Sequence, residues 1–336
     1  MASSPLMRAV VALAPGDSDV LEVREVPRPE PSAGEVLIRV AAAGVNPVDA
    51  KTRRGAGAAK FLDEQRPVSS ELAAALGAPA ADGFPWIPGW DVAGTVEAVG
   101  FGVSRFAVGD RVCGLVGFPR AAGTYAEFVV AHVSQLSRSP RSLTDVETAA
   151  LPMAGLTAWQ AMADAGDLET NRRVVITAAA GGVGHIAVQV AADLGAHVIA
   201  VTSTDNVDFV RGLGAAEIID RTQGDWTAQI DAPVDLVVDG SGHDLRAAAY
   251  ATLVPGGRFV VLPSSATGDP APDTILTPRV FVAPDGLELQ LLTGTIERGM
   301  LRPHVSATFP LEQAAEAHHQ IESGTTRGKI VLTVGG

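Results

Sequence analysis

The segment from Val174 to Val201 constrains the fold of this 336-residue chain more than any other. It reads VVITAAAGGVGHIAVQVAADLGAHVIAV, in which two β-branched runs enclose a glycine-rich turn and a helical pattern. The turn from Ala179 to Gly184 matches G-x-G-x-x-G with alanine at the first position. Its middle glycine lets the backbone approach a pyrophosphate, and its third lets the helix pack close to the sheet. The segment predicts a dinucleotide-binding strand–helix–strand unit, the alternative being a glycine-rich turn in an unrelated α/β protein.

The whole stretch from Val174 to Val201 is apolar enough to suggest a membrane span. Glycines and three polar residues, Gln189, Asp193 and His197, interrupt it at the spacing expected of a strand, a helix and a second strand. We therefore expect no membrane span. We predict an amphipathic helix whose N-terminal N–H groups face the phosphates. Its buried face is predicted to contain Val183, Ile186, Ala187, Val190, Ala191 and Leu194.

The pattern of predicted secondary structure changes near Pro140. Before it, short strand-like runs lie between proline and glycine residues; after it, helical patterns alternate with apolar runs such as VVITA, HVIAV and DLVVDG. Alternation of this kind predicts a doubly wound parallel sheet. The tail returns to mixed helix and strand and closes on KIVLTV. We therefore predict an α/β fold in which a dinucleotide-binding domain, 136–284, is inserted in a mostly β domain formed by 1–135 and 285–336.

The stretch from Gly55 to Pro85 lacks the strand-like runs that flank it and is rich in alanine, glycine and proline. Within it, SSELAAALG predicts a short helix with Ser69 or Ser70 as N-cap and Gly77 just past its end. We predict an inserted, lid-like segment, and the alternative is a surface insertion without a role.

Composition excludes several classes of partner and site. The formal net charge of −13 disfavours nucleic acid, and one cysteine, Cys113, excludes an intrachain disulfide and a cysteine-rich metal site. The first residues lack a basic region followed by an apolar run, so we expect no signal peptide and a cytoplasmic location. The histidines show no ligand spacing, and His318 and His319 are expected to be solvated surface residues.

The second strand of the dinucleotide unit indicates which cofactor binds. It ends Val201-Thr202-Ser203-Thr204, without the acidic residue that usually holds the ribose of NAD. The hydroxyls of Thr202 and Ser203 can bond a 2′-phosphate, and Arg221, after the third strand, adds positive charge. Asp205 and Asp208 argue the other way. The pattern favours NADP.

Motifs along nearly the whole chain are similar to those of the zinc-independent quinone oxidoreductases, relatives of zeta-crystallin in the medium-chain dehydrogenase/reductase superfamily. They are GVNPVDAKTRRG, IPGWDVAGTVEAVG, VGDRVCGL, GTYAEFVV, LPMAGLTAWQAM, AAAGGVG, LGAAEIID, LVPGGRFVVL and TRGKIVLTV. The resemblance implies a GroES-like catalytic domain, a Rossmann domain and a cleft between them. It also implies NADPH-dependent reduction of a quinone or an α,β-unsaturated carbonyl, in a homodimer or homotetramer. From the charge and the sequence pattern we expect no nucleic-acid or membrane partner.

The resemblance also implies that no metal takes part. Zinc members of the superfamily have cysteine where this chain has Asn46, and Gly-His-Glu where it has Gly89-Trp90-Asp91. Catalytic zinc needs three N, S or O ligands from the protein, and only the Asp91 carboxylate remains in place.

Matched positions give candidate site residues. Asn46 is expected near the nicotinamide and the substrate carbonyl, where its amide stabilises a developing oxyanion; the alternative is that it only caps the turn before Pro47. The resemblance assigns further cofactor contacts to Thr157, Ala180, Gly181, Gly182, Val183, Ser241, Leu262, Phe281, Val282 and Lys329. Thr157 could instead be a buried helix residue and Lys329 a surface lysine.

The sequence offers two candidate side chains as the proton source. Some family members have tyrosine where this chain has Lys51. Asp49 and Lys51 are candidate proton donors, but a surface salt pair between them is the preferred interpretation, with solvent supplying the proton. The missing tyrosine and the insertion leave a second hypothesis. It is a non-redox member such as a cyclase in natural-product biosynthesis, or a protein that keeps the fold as a binding scaffold.

Overall fold

The computed structural model describes residues 5–63, 66–242, 246–262 and 270–335. The chain divides into two compact units. Unit 1 contains Met1–Met153, Ala283–Glu297 and Pro303–Gly336, and unit 2 contains Ala154–Val282 and Arg298–Arg302. None of the described helices is long and apolar enough to cross a bilayer.

Unit 1 is mostly β. Its strands are β1 Leu6–Ala12, β2 Leu21–Pro27, β3 Glu35–Val45, β4 Asp91–Val99, β5 Arg111–Leu115, β6 Phe128–His132, β7 Leu136–Arg138, β13 Val305–Pro310 and β14 Lys329–Thr333. Its helices are α1 Pro47–Arg53, α2 Ala59–Asp63, α3 Arg66–Leu76, α4 Asp145–Ala149, α9 Gly286–Glu297 and α10 Ala314–Glu322. β1 and β2 form a hairpin, and a larger sheet has the order β13-β14-β3-β4-β5-β7, with β6 also paired to β3.

Strand β3 organises this larger sheet because it pairs with three others. Its first half pairs with β6 and its last residues with β14, while β4 lies along its other edge with two irregularities in register. Bulges of this kind bend a strand and increase its twist. Consequently the end of β3 at Val45, the start of β14 at Lys329 and the start of β4 at Asp91 lie together in unit 1.

The boundary between units falls later than 135/136, where the sequence analysis placed it. β7 pairs with β5, and Arg111 on β5 donates hydrogen bonds to Asp145 of α4 at 2.6 and 3.0 Å. These contacts keep 136–153 with unit 1, since their partners lie in its sheet.

The described residues of the segment from Gly55 to Pro85 include the helices α2 and α3. Its helix α3 begins at Arg66, so Ser69 and Ser70 lie inside the helix and the predicted N-cap is wrong. Gly77 follows the helix with φ of +63°, a left-handed conformation that suits a C-terminal glycine. Leu72 and Leu76 pack against buried residues of the β1–β2 hairpin. That the segment acts as a lid stays a prediction.

Unit 2 is a parallel α/β unit. Its strands are β8 Arg173–Ile176, β9 His197–Thr202, β10 Glu217–Asp220, β11 Val234–Asp239 and β12 Leu253–Val261, and its helices are α6 Gly184–Asp193, α7 Val207–Arg211 and α8 Arg246–Ala251. Helix α5 Pro152–Trp159 spans the unit boundary and continues into a π-helical turn, Gln160–Ala165. All neighbouring strands are parallel in the order β10-β9-β8-β11-β12. This order reverses direction at β8, where doubly wound sheets bind their ligands at the carboxyl ends of the strands.

Candidate active site

The turn between β8 and α6 has the geometry expected of a pyrophosphate-binding turn. A Cβ added at Gly184 would lie 2.2 Å from the carbonyl oxygen of Ala178, so only glycine fits where the helix crosses the strand end. A Cβ at Gly181 would meet only that same oxygen, at 3.2 Å, so the other side of the turn is open. These two positions fit the close packing and the close ligand approach that the motif requires.

Helix α6 is more deeply buried than an amphipathic surface helix. All residues from Gly184 to Ala191 are buried, including His185 and Gln189, which were not among the predicted buried positions. The His185 ring donates from Nδ1 to the Gly181 carbonyl at 2.8 Å, and Gln189 Oε1 accepts from the Arg302 N–H at 2.9 Å. The buried side chains of His185 and Gln189 are therefore both engaged in hydrogen bonds inside the protein.

Polar groups meet at the carboxyl ends of β8 and β11. Thr177 Oγ1 and Ser241 Oγ each donate to Asp239 Oδ1 at 2.6 Å, and the Gly240 N–H donates to Thr177 Oγ1 at 3.0 Å. This arrangement holds Ser241, a predicted cofactor residue, at the edge where a dinucleotide binds in such sheets. Leu262 follows β12 and its N–H donates to the Asp239 carbonyl at 2.9 Å.

The ends of β9 and β10 hold an acidic residue, Asp220, that was not among the predicted site residues. Asp220 ends β10 and accepts hydrogen bonds from Thr204 Oγ1 at 2.6 Å and from Thr222 Oγ1 at 2.7 Å. These hydroxyls lower the pKa of Asp220 to about 2, so it is ionised at neutral pH. Thr202 is buried, Ser203 is half-buried and Arg221 is exposed. As expected, β9 itself ends without a carboxylate, but the neighbouring strand β10 ends with Asp220.

Other predicted cofactor residues occupy varied environments. Thr157 is half-buried in α5, Ala180 is buried, and Gly182 and Val183 are half-buried in the turn. Val282 is half-buried, whereas Phe281 is 55% exposed.

In unit 1, three predicted or motif residues form one buried cluster. Asn46 Nδ2 donates to Asp91 Oδ2 at 2.9 Å, and Lys329 Nζ donates to Asn46 Oδ1. Lys329 also donates to the Val45 carbonyl at 3.2 Å and lies 3.5 Å from Asp91 Oδ2. Lys329 is 3% exposed, so the alternative that it is a surface lysine is wrong.

Close backbone packing keeps this cluster together. A Cβ at Gly44 would lie 2.6 Å from Asp91 Oδ2, so glycine on β3 leaves the space that the carboxylate occupies. The other oxygen, Asp91 Oδ1, accepts the Met153 N–H at 2.7 Å. Burial raises the pKa of Asp91, while Lys329, Asn46 and the Met153 N–H oppose that rise.

Asn46 is also the residue before α1, which begins at Pro47. Its backbone N–H donates to Asp49 Oδ2 at 2.7 Å, so Asp49 closes the first turn of the helix. Asp49 is fully buried and Lys51 is exposed, so the expected surface salt pair between them is wrong. Asn46 is thus the N-cap residue of α1, and its side chain also makes hydrogen bonds within the buried cluster.

A chain of buried side chains extends from Asp49. Tyr125 Oη donates to Asp49 Oδ2 at 3.3 Å, and His318 Nε2 lies 3.4 Å from Tyr125 Oη. Arg53 lies 3.4 Å from His318 Nδ1 and pairs with Glu322 at 2.7 Å. An arginine can only donate, so Nδ1 accepts and Nε2 carries the hydrogen. Tyr125, Arg53 and His318 were absent from the predicted site, and the solvated His318 was a wrong expectation; His319 is exposed.

Asp49 has an unusual electrostatic environment. The pKa of Asp49 is raised from 3.8 to about 7, mainly by burial and in smaller part by Asp91, against the opposing effects of the Asn46 N–H, Lys329 and Tyr125. Its second oxygen, Oδ1, has no hydrogen-bond partner among the described residues. Burial also lowers the pKa of His318 to about 3, so this histidine is neutral at physiological pH.

We expect Asp49→Asn to become more stable relative to wild type as the pH rises from about 4 to about 7. Folded Asp49 holds its proton more tightly than unfolded Asp49, so its ionisation destabilises the folded state across this window. Asparagine does not titrate. About three pH units correspond to at most roughly 4 kcal/mol in the free energy of unfolding. Denaturant unfolding of both proteins near the two ends of this window measures the difference.

His318 provides an internal control for this prediction. Its lowered pKa makes stability rise with pH between about 3 and 6.5, the opposite sign, but it does so in both proteins and cancels in the difference. A difference that is independent of pH would contradict the raised pKa of Asp49.

The positions of zinc ligands in related enzymes hold other groups. Trp90 is fully buried and its Nε1 donates to the Arg120 carbonyl at 2.6 Å, and Asn46 is engaged by Asp91 and Lys329. Across the part of the chain that the structure describes, no group of three His, Cys, Asp or Glu side chains is placed to hold a metal. Cys113 is buried, and burial raises its thiol pKa to about 12.

Comparison with known proteins identifies the family. Residues 32–141 match the alcohol dehydrogenase GroES-like domain, and residues 213–332 match the zinc-binding dehydrogenase family. The mitochondrial NAD(P)H oxidoreductase RTN4IP1 of Bos taurus is 34% identical over 338 residues, covering 89% of this chain and 82% of the relative. The chain belongs to the medium-chain dehydrogenase/reductase superfamily, in its quinone oxidoreductase-like branch.

Solved structures agree with this assignment. The quinone oxidoreductase from Coxiella burnetii superposes on this medium-chain reductase with a TM-score of 0.86 and 32% identity, covering 98% of this chain and all of that one. A mycobacterial protein complexed with NADPH has a TM-score of 0.79 and 27% identity, covering 97% of this chain and 99% of that one. The predicted fold, a GroES-like domain with a parallel Rossmann-type sheet, is confirmed. The chain is an oxidoreductase that uses a nicotinamide cofactor.

Proposed function

We propose that this medium-chain reductase uses NADPH to reduce a quinone or an α,β-unsaturated carbonyl without a metal. The observation that carries the proposal is the buried cluster in which Asp91 and Lys329 hold the Asn46 carboxamide in a fixed orientation. The cluster offers a neutral hydrogen-bond donor at the position where zinc relatives have a ligand. Quinones and enones both gain negative charge on oxygen when they accept a hydride, and a preorganised donor stabilises that charge.

The cofactor fits the described residues of unit 2. The open side of the turn at Gly181 would accept a pyrophosphate, and the N-terminal N–H groups of α6 would be available to hold it. When bound, the nicotinamide cofactor supplies the hydride. Of the two hydrogens on Asn46 Nδ2, Asp91 accepts one, and the second is the donor that we assign to the substrate oxygen. Because Asp49 is fully buried, we assign the proton to solvent, with exposed Lys51 as the remaining candidate donor.

The choice of NADPH rests on Ser203, Thr202 and Arg221 near the ends of β9 and β10, and the NADPH complex of a structural relative supports it. Asp220 works against it, because an ionised carboxylate beside Thr204 repels a 2′-phosphate. We therefore propose that Arg221 and the hydroxyls attract the 2′-phosphate more strongly than Asp220 repels it.

We expect Arg221→Ala to weaken NADPH binding about tenfold and to leave NADH binding unchanged. A charged hydrogen bond to phosphate contributes on the order of 1.5–3 kcal/mol, and the exposure of Arg221 places it at the lower end. Asp220→Asn is the matched variant and should strengthen NADPH binding while NADH is unaffected. Fluorescence titration with both cofactors tests the pair. Equal effects on the two cofactors would show that these residues do not contact the 2′ position.

The reaction itself is tested with a panel of quinones, enones and polyketide-like compounds. We expect acceptor-dependent loss of the NADPH absorbance band for at least one quinone or enone, in protein that elemental analysis shows to be free of zinc. A product formed without any oxidation of NADPH would instead support a redox-neutral cyclase. Stoichiometric zinc in untagged, active protein would contradict the metal-free mechanism. Cytoplasmic location and assembly into a dimer or tetramer stay predictions.

A further inference from the structure

We propose that Lys329 is a positioning residue whose buried ammonium group fixes the catalytic orientation of the Asn46 carboxamide. The proposal rests on the proposed function, since it takes Asn46 as the donor to the substrate oxygen. It adds a residue that does not itself touch substrate or cofactor. Three features of the structure support it: the acceptors around Nζ, the orientation of the amide, and the way that β14 begins.

The acceptors around Lys329 Nζ define its charge. They are the Val45 carbonyl, the Asn46 amide oxygen and the Asp91 carboxylate, which come from three different chain positions in unit 1. A neutral amine has two hydrogens and could serve only two of them, whereas an ammonium group has three. Three oxygen acceptors around one nitrogen therefore correspond to the charged form. With all three hydrogens used inside the protein and the residue 3% exposed, Lys329 has no donor left for a ligand.

The ammonium group also fixes which end of the amide faces which neighbour. The Asn46 oxygen faces Lys329, a donor, and the Asn46 nitrogen faces Asp91, an acceptor. Rotating the amide by half a turn would place its NH₂ against the ammonium group and its oxygen against the carboxylate. Both contacts would then be repulsive. Lys329 and Asp91 together thus hold Nδ2, the proposed oxyanion donor, in one orientation before substrate arrives.

The backbone around Lys329 places the ammonium group with little freedom. Gly328 has φ of +61°, and a Cβ there would lie 2.3 Å from the His304 carbonyl oxygen. The same oxygen accepts the Lys329 N–H at 2.9 Å, and Ile330 pairs with Val45 across the sheet. The start of β14 is therefore anchored on both sides, so the side chain enters the cluster from a fixed point.

A double-mutant cycle in the full-length protein tests whether Lys329 acts through Asn46. Asn46→Ala and Lys329→Met are each expected to lower turnover on the order of 100-fold, with NADPH affinity changed less than about threefold. If Lys329 only positions Asn46, the double variant should also lose about 100-fold, because removing the amide leaves nothing to position. Arg24→Met removes an exposed cation from β2 and is the matched control, with turnover within about twofold of wild type.

Lys329→Met leaves Asp91 buried without its cation and can prevent folding. For that reason the cycle is repeated with Asp91→Asn/Lys329→Met, which removes both charges together. The same result is expected for this pair. Losses that multiply to about 10,000-fold in combination with Asn46→Ala, or a Lys329 variant that keeps wild-type turnover, would overturn the proposal.

The amide itself gives a readout that does not depend on activity. In ¹H–¹⁵N spectra, the side-chain NH₂ pair that disappears in Asn46→Ala should be sharp and slow to exchange in wild type. It should exchange faster with solvent in the folded Lys329 variant. If Asn46→Ala keeps full turnover, the proposed function of Asn46 fails, while the spectra still decide whether Lys329 fixes the amide. An Asn46 NH₂ pair that is unchanged in the Lys329 variant overturns the positioning role.

Discussion

Asn46→Ala lowers turnover with a quinone or enone by about 100–1000-fold per folded molecule, the loss typical of removing one preorganised oxyanion donor. The structure adds a second effect, since the amide bonds both Asp91 and Lys329. Leaving buried polar partners unsatisfied costs on the order of 1–3 kcal/mol, so the melting temperature should also fall. We therefore expect Asn46→Ala to reduce both turnover and stability. Turnover is normalised to folded protein measured by circular dichroism.

Asn171→Ala is the matched control for this variant. Asn171 is an exposed asparagine of unit 2 with φ of +65°, a conformation that costs alanine about 1 kcal/mol. It should lose stability and keep wild-type turnover per folded molecule. If Asn46→Ala behaves in the same way, the amide serves only the start of α1 and the oxyanion role is wrong.

The second large effect is expected in the turn before α6. Gly181→Ala should weaken NADPH binding at least tenfold with the free energy of unfolding changed by less than about 1 kcal/mol. The added methyl group meets only one protein atom, at 3.2 Å, yet occupies the side that the pyrophosphate approaches. Gly184→Ala should weaken NADPH binding and also lower the free energy of unfolding. Its methyl group would lie 2.2 Å from a backbone oxygen, and overpacking costs about 1–3 kcal/mol. Isothermal titration and urea unfolding measure the two quantities separately.

Gly212→Ala supplies the control for these glycine variants. It lies just after α7, where an added methyl group has its nearest contact at an ordinary 3.4 Å. Neither NADPH affinity nor stability should decrease. Equal NADPH affinity in Gly181→Ala and wild type would contradict the placement of the pyrophosphate at this turn.

The fold could be predicted from sequence because its signals are local. Each signal lies within a few residues: the glycine turn, the β-branched runs and the change of pattern near Pro140. The parallel sheet follows from the alternation of helical patterns with apolar strand-like runs. The start of α3 was predicted too late because serine is a good N-cap, and sequence alone did not show that the helix extends back to Arg66. The unit boundary differed because β7 pairs with a strand far along the chain.

The buried polar residues were harder to place, because burial of a charge depends on partners that are distant in sequence. Asp49 and Lys51 are two residues apart and looked like a surface pair, yet Asp49 points to Tyr125 and Lys51 to solvent. His318 is buried beside Arg53, 265 positions away. Amphipathic spacing in EQAAEAHHQIES, with Ala314, Ala317 and His318 on one face, was the one available signal for its burial.

Transfer of deuterium from NADPH carrying the label on the transferred hydrogen tests the central claim most directly. The protein is incubated with this cofactor and with each quinone or enone that supports NADPH oxidation, and the product is analysed by mass spectrometry. For an enone, we expect one deuterium at the β-carbon, and Asn46→Ala should form the same labelled product more slowly. For a quinone, cofactor oxidation should match hydroquinone formation in equal amounts. An unlabelled enone product of unchanged mass, formed while NADPH remains intact, would contradict the account and indicate a redox-neutral enzyme.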